Sequence, residues 1–188
     1  MKNIKYCPNC GCDKFTQHKI KAWHCQSCQF IYFHNTAAAV VAVLRYQDEI
    51  LLTVRKNNPC KGMFDLPGGF VDYHETLEAA LTREIKEELH LDIHVNEWDY
   101  FGSYANRYEY EGITYHTADA FFIKGFDKKP DIVADDDVAD ATWIGIQDID
   151  LTEIGLVSIR HAIRHMQRMQ LALGVSSYCK INKKESFT

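Results

Sequence analysis

The apolar positions of this chain fall into short continuous runs, separated by turn residues and interrupted by one long amphipathic stripe. Ala37 to Arg45 (AAAVVAVLR) and Ile50 to Arg55 (ILLTVR) have strand length and read as two buried strands. The polar Tyr-Gln-Asp-Glu between them makes a hairpin. Pro59 and Gly62 break Lys56 to Met63 into a loop, Phe64 to Leu66 reads as a short strand, and Pro67-Gly68-Gly69 reads as a turn. Further on, Trp98 to Tyr110 and Ile113 to Phe126 are β-rich runs around Tyr110-Glu111-Gly112, the clearest hairpin signal in the chain. Ala139 to Ile144 predicts a last strand and Glu153 to Leu173 a terminal helix, with Gly174 ending it. Strands, a helix after a glycine-rich loop, more strands and a helix together predict an α/β fold with a mixed sheet between helices.

The stripe between these β-rich regions carries the chemistry. Winding it at about 100° per residue from Leu77 puts Glu84, Glu87 and Glu88 near 340°, 280° and 20°. Ala80 and Leu81 share that arc, so the apolar face turns from leucine to glutamate halfway along the helix. A solvated acidic face would not continue an apolar stripe. Carboxylates three and four residues apart repel one another and resist desolvation, so keeping them ionised at a protein face calls for a cation. An all-oxygen ligand set suits Mg²⁺ or Mn²⁺.

The stretch Gly69 to Leu91 resembles the Nudix box, G-x5-E-x7-R-E-U-x-E-E-x-G-U with U aliphatic. It matches at Gly69, Glu75, Arg83, Glu84, Ile85, Glu87, Glu88 and Leu91. It departs at His90, where the box has the glycine that ends the helix left-handed. The resemblance implies the Nudix α/β/α sandwich over roughly Thr36 to Gln170. It also implies catalytic metal ligation by Glu84, Glu87, Glu88 and the Gly69 carbonyl, and pairing of Glu75 with Arg83 to brace the loop. The general base varies in this family; here Glu84, Glu87 or an acid of Asp135-Asp136-Asp137 stays open. For substrate binding the candidates are Arg55, Phe70 and Tyr73, with Tyr104, Tyr108 and Tyr115 as further aromatics.

The first 34 residues form a separate pattern. CPNC (Cys7, Cys10) and CQSC (Cys25, Cys28) can supply four thiolates to a tetrahedral Zn²⁺, which leaves no open position and makes the site structural. Cys12, His18 and His24 are nearby spare ligands. The domain reading is a zinc ribbon over 1–34, a Nudix domain over 35–173 and a polar tail over 174–188. This layout resembles NADH pyrophosphatases and related FAD and ADP-ribose hydrolases, although YFGSYANRYEYEG stands where NADH pyrophosphatases carry an SQPWPFP-type motif. It implies metal-dependent cleavage of a pyrophosphate bond in a nucleoside diphosphate linked to another moiety. A nucleoside triphosphate pyrophosphohydrolase and a non-catalytic nucleotide sensor are the alternatives.

Composition narrows the partners. A net charge of −5 argues against a broad nucleic-acid surface. No apolar run approaches membrane length, and seven cysteines, five of them before residue 30, fit reduced thiols and a cytoplasmic setting. A homodimer is left open.

Overall fold

The computed structural model describes residues 4–173. The polar tail over 174–188, including Cys179, lies outside the described residues. Three short antiparallel strands, β1 (Phe15–Lys19), β2 (Ala22–Cys25) and β3 (Ile31–Phe33), make one small sheet. Seven more strands make the main one: β4 (Ala37–Tyr46), β5 (Glu49–Arg55), β6 (Phe64–Asp65), β7 (Gly68–Phe70), β8 (Asp99–Tyr110), β9 (Ile113–Gly125) and β10 (Val138–Gly145). The order is β10-β5-β4-β9-β8, with β6 on β5 and β7 on β4. Only β4 and β9 run parallel, so the sheet is mixed.

The alternation of a strand explains the three layers. Val40, Ala42 and Leu44 of β4 point to one side, where they pack on Ala80, Leu81, Ile85 and Leu89 of α1 (Leu77–Leu89). Val41 and Val43 point to the other, against Ile159, Ala162, Ile163 and Met166 of α2 (Val157–Leu173). A strand buried on both faces must be apolar at every position, which is why β4 reads as a continuous run. In the β8–β9 hairpin, Glu111 and Gly112 both have positive φ, 48° and 72°, as a tight primed turn requires.

Two expectations are corrected. The terminal helix begins at Val157 rather than Glu153. Glu153 and Gly155 instead exchange main-chain bonds of 3.0 Å each with Phe64, so this segment is extended beside β6. The Pro67-Gly68-Gly69 turn is in fact the entry to a strand, since Gly68–Phe70 pairs with Val41, Val40 and Ala39 of β4. Gly68 has φ of 144°, and a Cβ there would lie 2.1 Å from the Val40 carbonyl oxygen; only glycine lets the two backbones approach this closely.

Candidate active site

Helix α1 is held at both ends. Thr76 Oγ1 accepts from the Ala79 amide at 3.2 Å, and His90 closes the last turn in the left-handed region, φ 55° and ψ 28°, donating its amide to the Lys86 carbonyl. The departure from glycine at His90 therefore leaves the turn in the geometry a glycine would adopt. Its ring lies 3.1 Å from Asp135.

With the helix fixed, Glu88 and Glu84 face β7 and Glu87 joins them at the rim, at graded depths. Glu88 is buried, with Oε2 accepting from the Gly68 amide at 2.9 Å. The Glu84 side chain is 14% exposed and that of Glu87 48% exposed. Gly69 lies directly beneath Glu84: a Cβ there would meet Glu84 Oε1 at 2.4 Å. Burial raises the Glu88 carboxyl well above the ordinary carboxylate range, with Glu84, Asp65 and Asp137 adding to it against the Gly68 amide. Burial raises Glu84 too, and Arg83 only partly offsets it.

Arg83 organises the rim. Its Nε and Nη2 reach the two Glu75 oxygens at 2.8 and 3.0 Å, Nη1 reaches Glu84 at 2.8 Å and Glu87 at 3.1 Å, and Nη2 also reaches the Phe70 carbonyl. The fork geometry of guanidinium allows this simultaneous bracing. Glu75 is held below its usual range, chiefly by the bond from Arg83.

Gly69, Phe70, Arg83, Glu84, Glu87 and Glu88 border a cleft of about 510 Å³. Asp136 and Asp137 also line it, while Asp135 turns to His90. Arg55 lies in its wall, ion-paired to buried Asp65, with Nε on the Pro59 carbonyl at 2.6 Å and Nη2 on the Tyr108 hydroxyl at 3.3 Å. Phe70 meets Tyr108 edge-on at 5.7 Å between centroids. Tyr73 is 95% exposed and does not line the cleft, because it follows β7 into the loop before α1.

Six buried polar residues line the cleft: Thr53, Asp65, Glu88, Asn106, Thr117 and Asp119. All but Glu88 were missed as site residues by the pattern of the sequence. The signal for two of them lay in β9, where Thr117 and Asp119 take one face and Ala118 and Ala120 the other. Asp119 accepts from Thr117 and Ser158 hydroxyls, both at 2.5 Å.

In the Cys-rich module the Sγ atoms of Cys7, Cys10, Cys25 and Cys28 lie within 4.8 Å of one another, close enough for one ion. Cys12 is not in that group, although its Sγ is 3.2 Å from Cys25 Sγ. The bond from Asn9 lowers the Cys28 thiol to about 6, which favours the thiolate.

Residues 34–165 match the model of the NUDIX domain. The chain belongs to the NUDIX family. Among similar NUDIX proteins, the NAD-capped RNA hydrolase NudC of Vibrio cholerae is 30% identical over 148 residues, 79% of this chain and 52% of that protein. The ADP-ribose pyrophosphatase of Methanocaldococcus jannaschii is 55% identical over 58 residues, 31% of this chain and 34% of that protein. This chain thus spans about half or less of the curated relatives it matches first. A NUDIX hydrolase crystal structure from Nitrosomonas europaea shares the fold with a TM-score of 0.61 at 20% identity, over 90% of this chain and 93% of that one. Among the described residues of this NUDIX chain, no helix is long and apolar enough to cross a membrane.

Proposed function

We propose that the protein is a divalent-metal-dependent hydrolase that cleaves the pyrophosphate bond of a nucleoside diphosphate linked to another moiety, of the ADP-ribose, NADH or FAD type. The observation that carries the reading is the buried Glu88 beside Glu84 and the side-chain-free Gly69, an all-oxygen donor set with too little positive charge of its own. Such a set fits Mg²⁺ or Mn²⁺, held by Glu84, Glu87, Glu88 and the Gly69 carbonyl. When bound, the cation supplies the charge that neutralises the diphosphate and lowers the pKa of the attacking water.

The chain's own groups do the rest. Arg83, fixed by Glu75, keeps Glu84 and Glu87 oriented. Glu84, Glu87, Asp136 and Asp137 border the cleft and are the candidates to take the water's proton. Phe70 and Tyr108 offer aromatic surface to a base, and Arg55, already engaged by Asp65 and Tyr108, contributes positive potential to the wall.

Zn²⁺ on Cys7, Cys10, Cys25 and Cys28 is structural in this reading, and the free cysteines fit a reducing, cytoplasmic setting. The relatives named for NAD-capped RNA and ADP-ribose support the choice of a linked nucleoside diphosphate. The test is a screen of ADP-ribose, NADH, FAD and nucleoside triphosphates with Mg²⁺ or Mn²⁺ in ¹⁸O-water, with products identified by mass. AMP plus a phosphorylated partner, with label on a phosphate, is the expected result. A nucleoside monophosphate plus pyrophosphate would favour the triphosphate alternative, and free nicotinamide or free base as the first product would overturn the mechanism.

A further inference from the structure

A second cavity, of about 500 Å³, lies where the Cys-rich sheet meets the β8–β9 edge of the main sheet. Lys21 and Trp23 enter it from one side, Ser103 and His116 from the other, and His34 from the connection between them. It adjoins the active-site cleft, for Asn106 and Thr117 line both. The chain carries 26 acidic against 21 basic residues, yet no carboxylate is among the described residues that line this seam. Lys21 and His116 therefore face it without an opposing acid in the lining.

Two buried polar atoms on this path find no partner among the described residues: His34 Nε2 and Asn106 Oδ1. Asn106 is only 6% exposed. The His34 ring faces the Thr114 main chain, and because Nε2 is the unpartnered atom, Nδ1 is the nitrogen on that side. Burial holds the ring below the ordinary imidazole range, so it is neutral at pH 7 and Nε2 presents a lone pair. A buried polar atom with no partner is destabilising, and both residues line this cavity, so a ligand carrying several hydroxyl donors would satisfy these atoms on reaching them.

We propose that this seam is a sugar-phosphate site: ribose hydroxyls donate to His34 Nε2 and Asn106 Oδ1, and the phosphate lies toward Lys21 and His116. The site is formed jointly by the Cys-rich module and the main sheet, which gives that module a part in ligand selection. That the sugar is the distal ribose phosphate of the cleaved substrate rests on the function proposed above; the binding itself does not.

The probe is D-ribose 5-phosphate, titrated into the full zinc-loaded chain without Mg²⁺ or Mn²⁺, with the imidazole ¹⁵N resonances followed by NMR. The expected result is a saturable shift at His34 Nε2, binding about five-fold weaker with 2-deoxyribose 5-phosphate because one donor is lost, and about five-fold weaker again in Asn106→Ala. Both sugar arms use the unmodified chain, so the test stands even if Asn106→Ala does not fold. No shift at His34, equal affinity for the two sugars, or the same shift from inorganic phosphate alone would overturn the proposal. Because no hydrolysis is measured, an inactive protein that binds the sugar refutes the proposed function and not the site.

Discussion

Glu88 is a carboxylate enclosed by protein with one amide for company, and its protonation should govern how the metal-free protein responds to pH. Its folded-state pKa is raised above the ordinary value of 4.5, so between the two values the folded state binds more protons than the unfolded one. Stability contributed by this group is therefore present below about pH 4.5 and falls as pH rises toward the folded pKa. Glu88→Gln should match the parent near pH 4 in thermal melts without divalent cation and exceed it at pH 7. Added Mn²⁺ should then stabilise the parent and leave the variant little changed. A deficit in Glu88→Gln that is the same at every pH would show that shape rather than charge matters there. Glu87 differs, since its side chain is half exposed and its ion pair is with Arg83. Glu87→Gln should keep the parent's melting temperature and lose about two orders of magnitude or more in turnover; near-normal rates would remove it from the ligand set. The helical arc of these three acids was legible in the sequence. Their order of depth was not, because it depends on where β7 docks against α1. Asp65 and Asp119 stayed hidden for a related reason: in a strand read one residue at a time, a lone aspartate looks solvent-facing until a partner such as Arg55 or Ser158 is placed beside it.

At the level of elements, periodicity revealed what forms and tertiary contacts decided where it stops. The strands of the main sheet followed from apolar runs that bury both faces, and α1 from its stripe and its Thr76 cap. The start of α2 did not, because Glu153 to Gly155 could have continued the helix had Phe64 not claimed their main-chain groups. Likewise Pro67-Gly68-Gly69 has turn composition, yet the same absence of side chains that suits a turn lets Gly68 and Gly69 pair against β4. His90 offers a direct test of the C-cap. A non-glycine residue held at φ 55° bears conformational strain, and the Asp135 contact that accompanies it is solvent-exposed and contributes little. His90→Gly should stabilise the protein by about 0.5–1 kcal/mol in urea unfolding, with activity retained. A loss of stability would mean that the contact to Asp135, and through it the loop carrying Asp136 and Asp137, outweighs the strain.

Across the whole molecule the apolar residues gather into three clusters, two flanking the main sheet and a small third made of Cys7, Phe15, Trp23 and Cys25. The change of composition near residue 35 was visible in the chain. The way the Cys-rich sheet abuts β8 and β9 was not, since it depends on contacts such as the His34 and Tyr115 rings, 6.2 Å apart, that no periodicity encodes. The third cluster is too small to hold residues 4–33 by burial alone, and two of its four members are thiols of the metal-sized cysteine group. Structural zinc in such a module contributes on the order of 10 kcal/mol. Cys25 is wholly buried, and with it replaced the group has three thiolates and a weaker fourth donor. Cys25→Ser should therefore hold well below one equivalent of zinc by elemental analysis. Amide exchange in β1 to β3 should become fast while β4, β5 and β9 stay protected, because the cores on α1 and α2 share no residue with the third cluster. Full zinc occupancy in Cys25→Ser would make Cys12, whose sulfur already lies 3.2 Å from that of Cys25, the fourth ligand. Uniform loss of protection across both sheets would show instead that the main sheet depends on the zinc module for its stability.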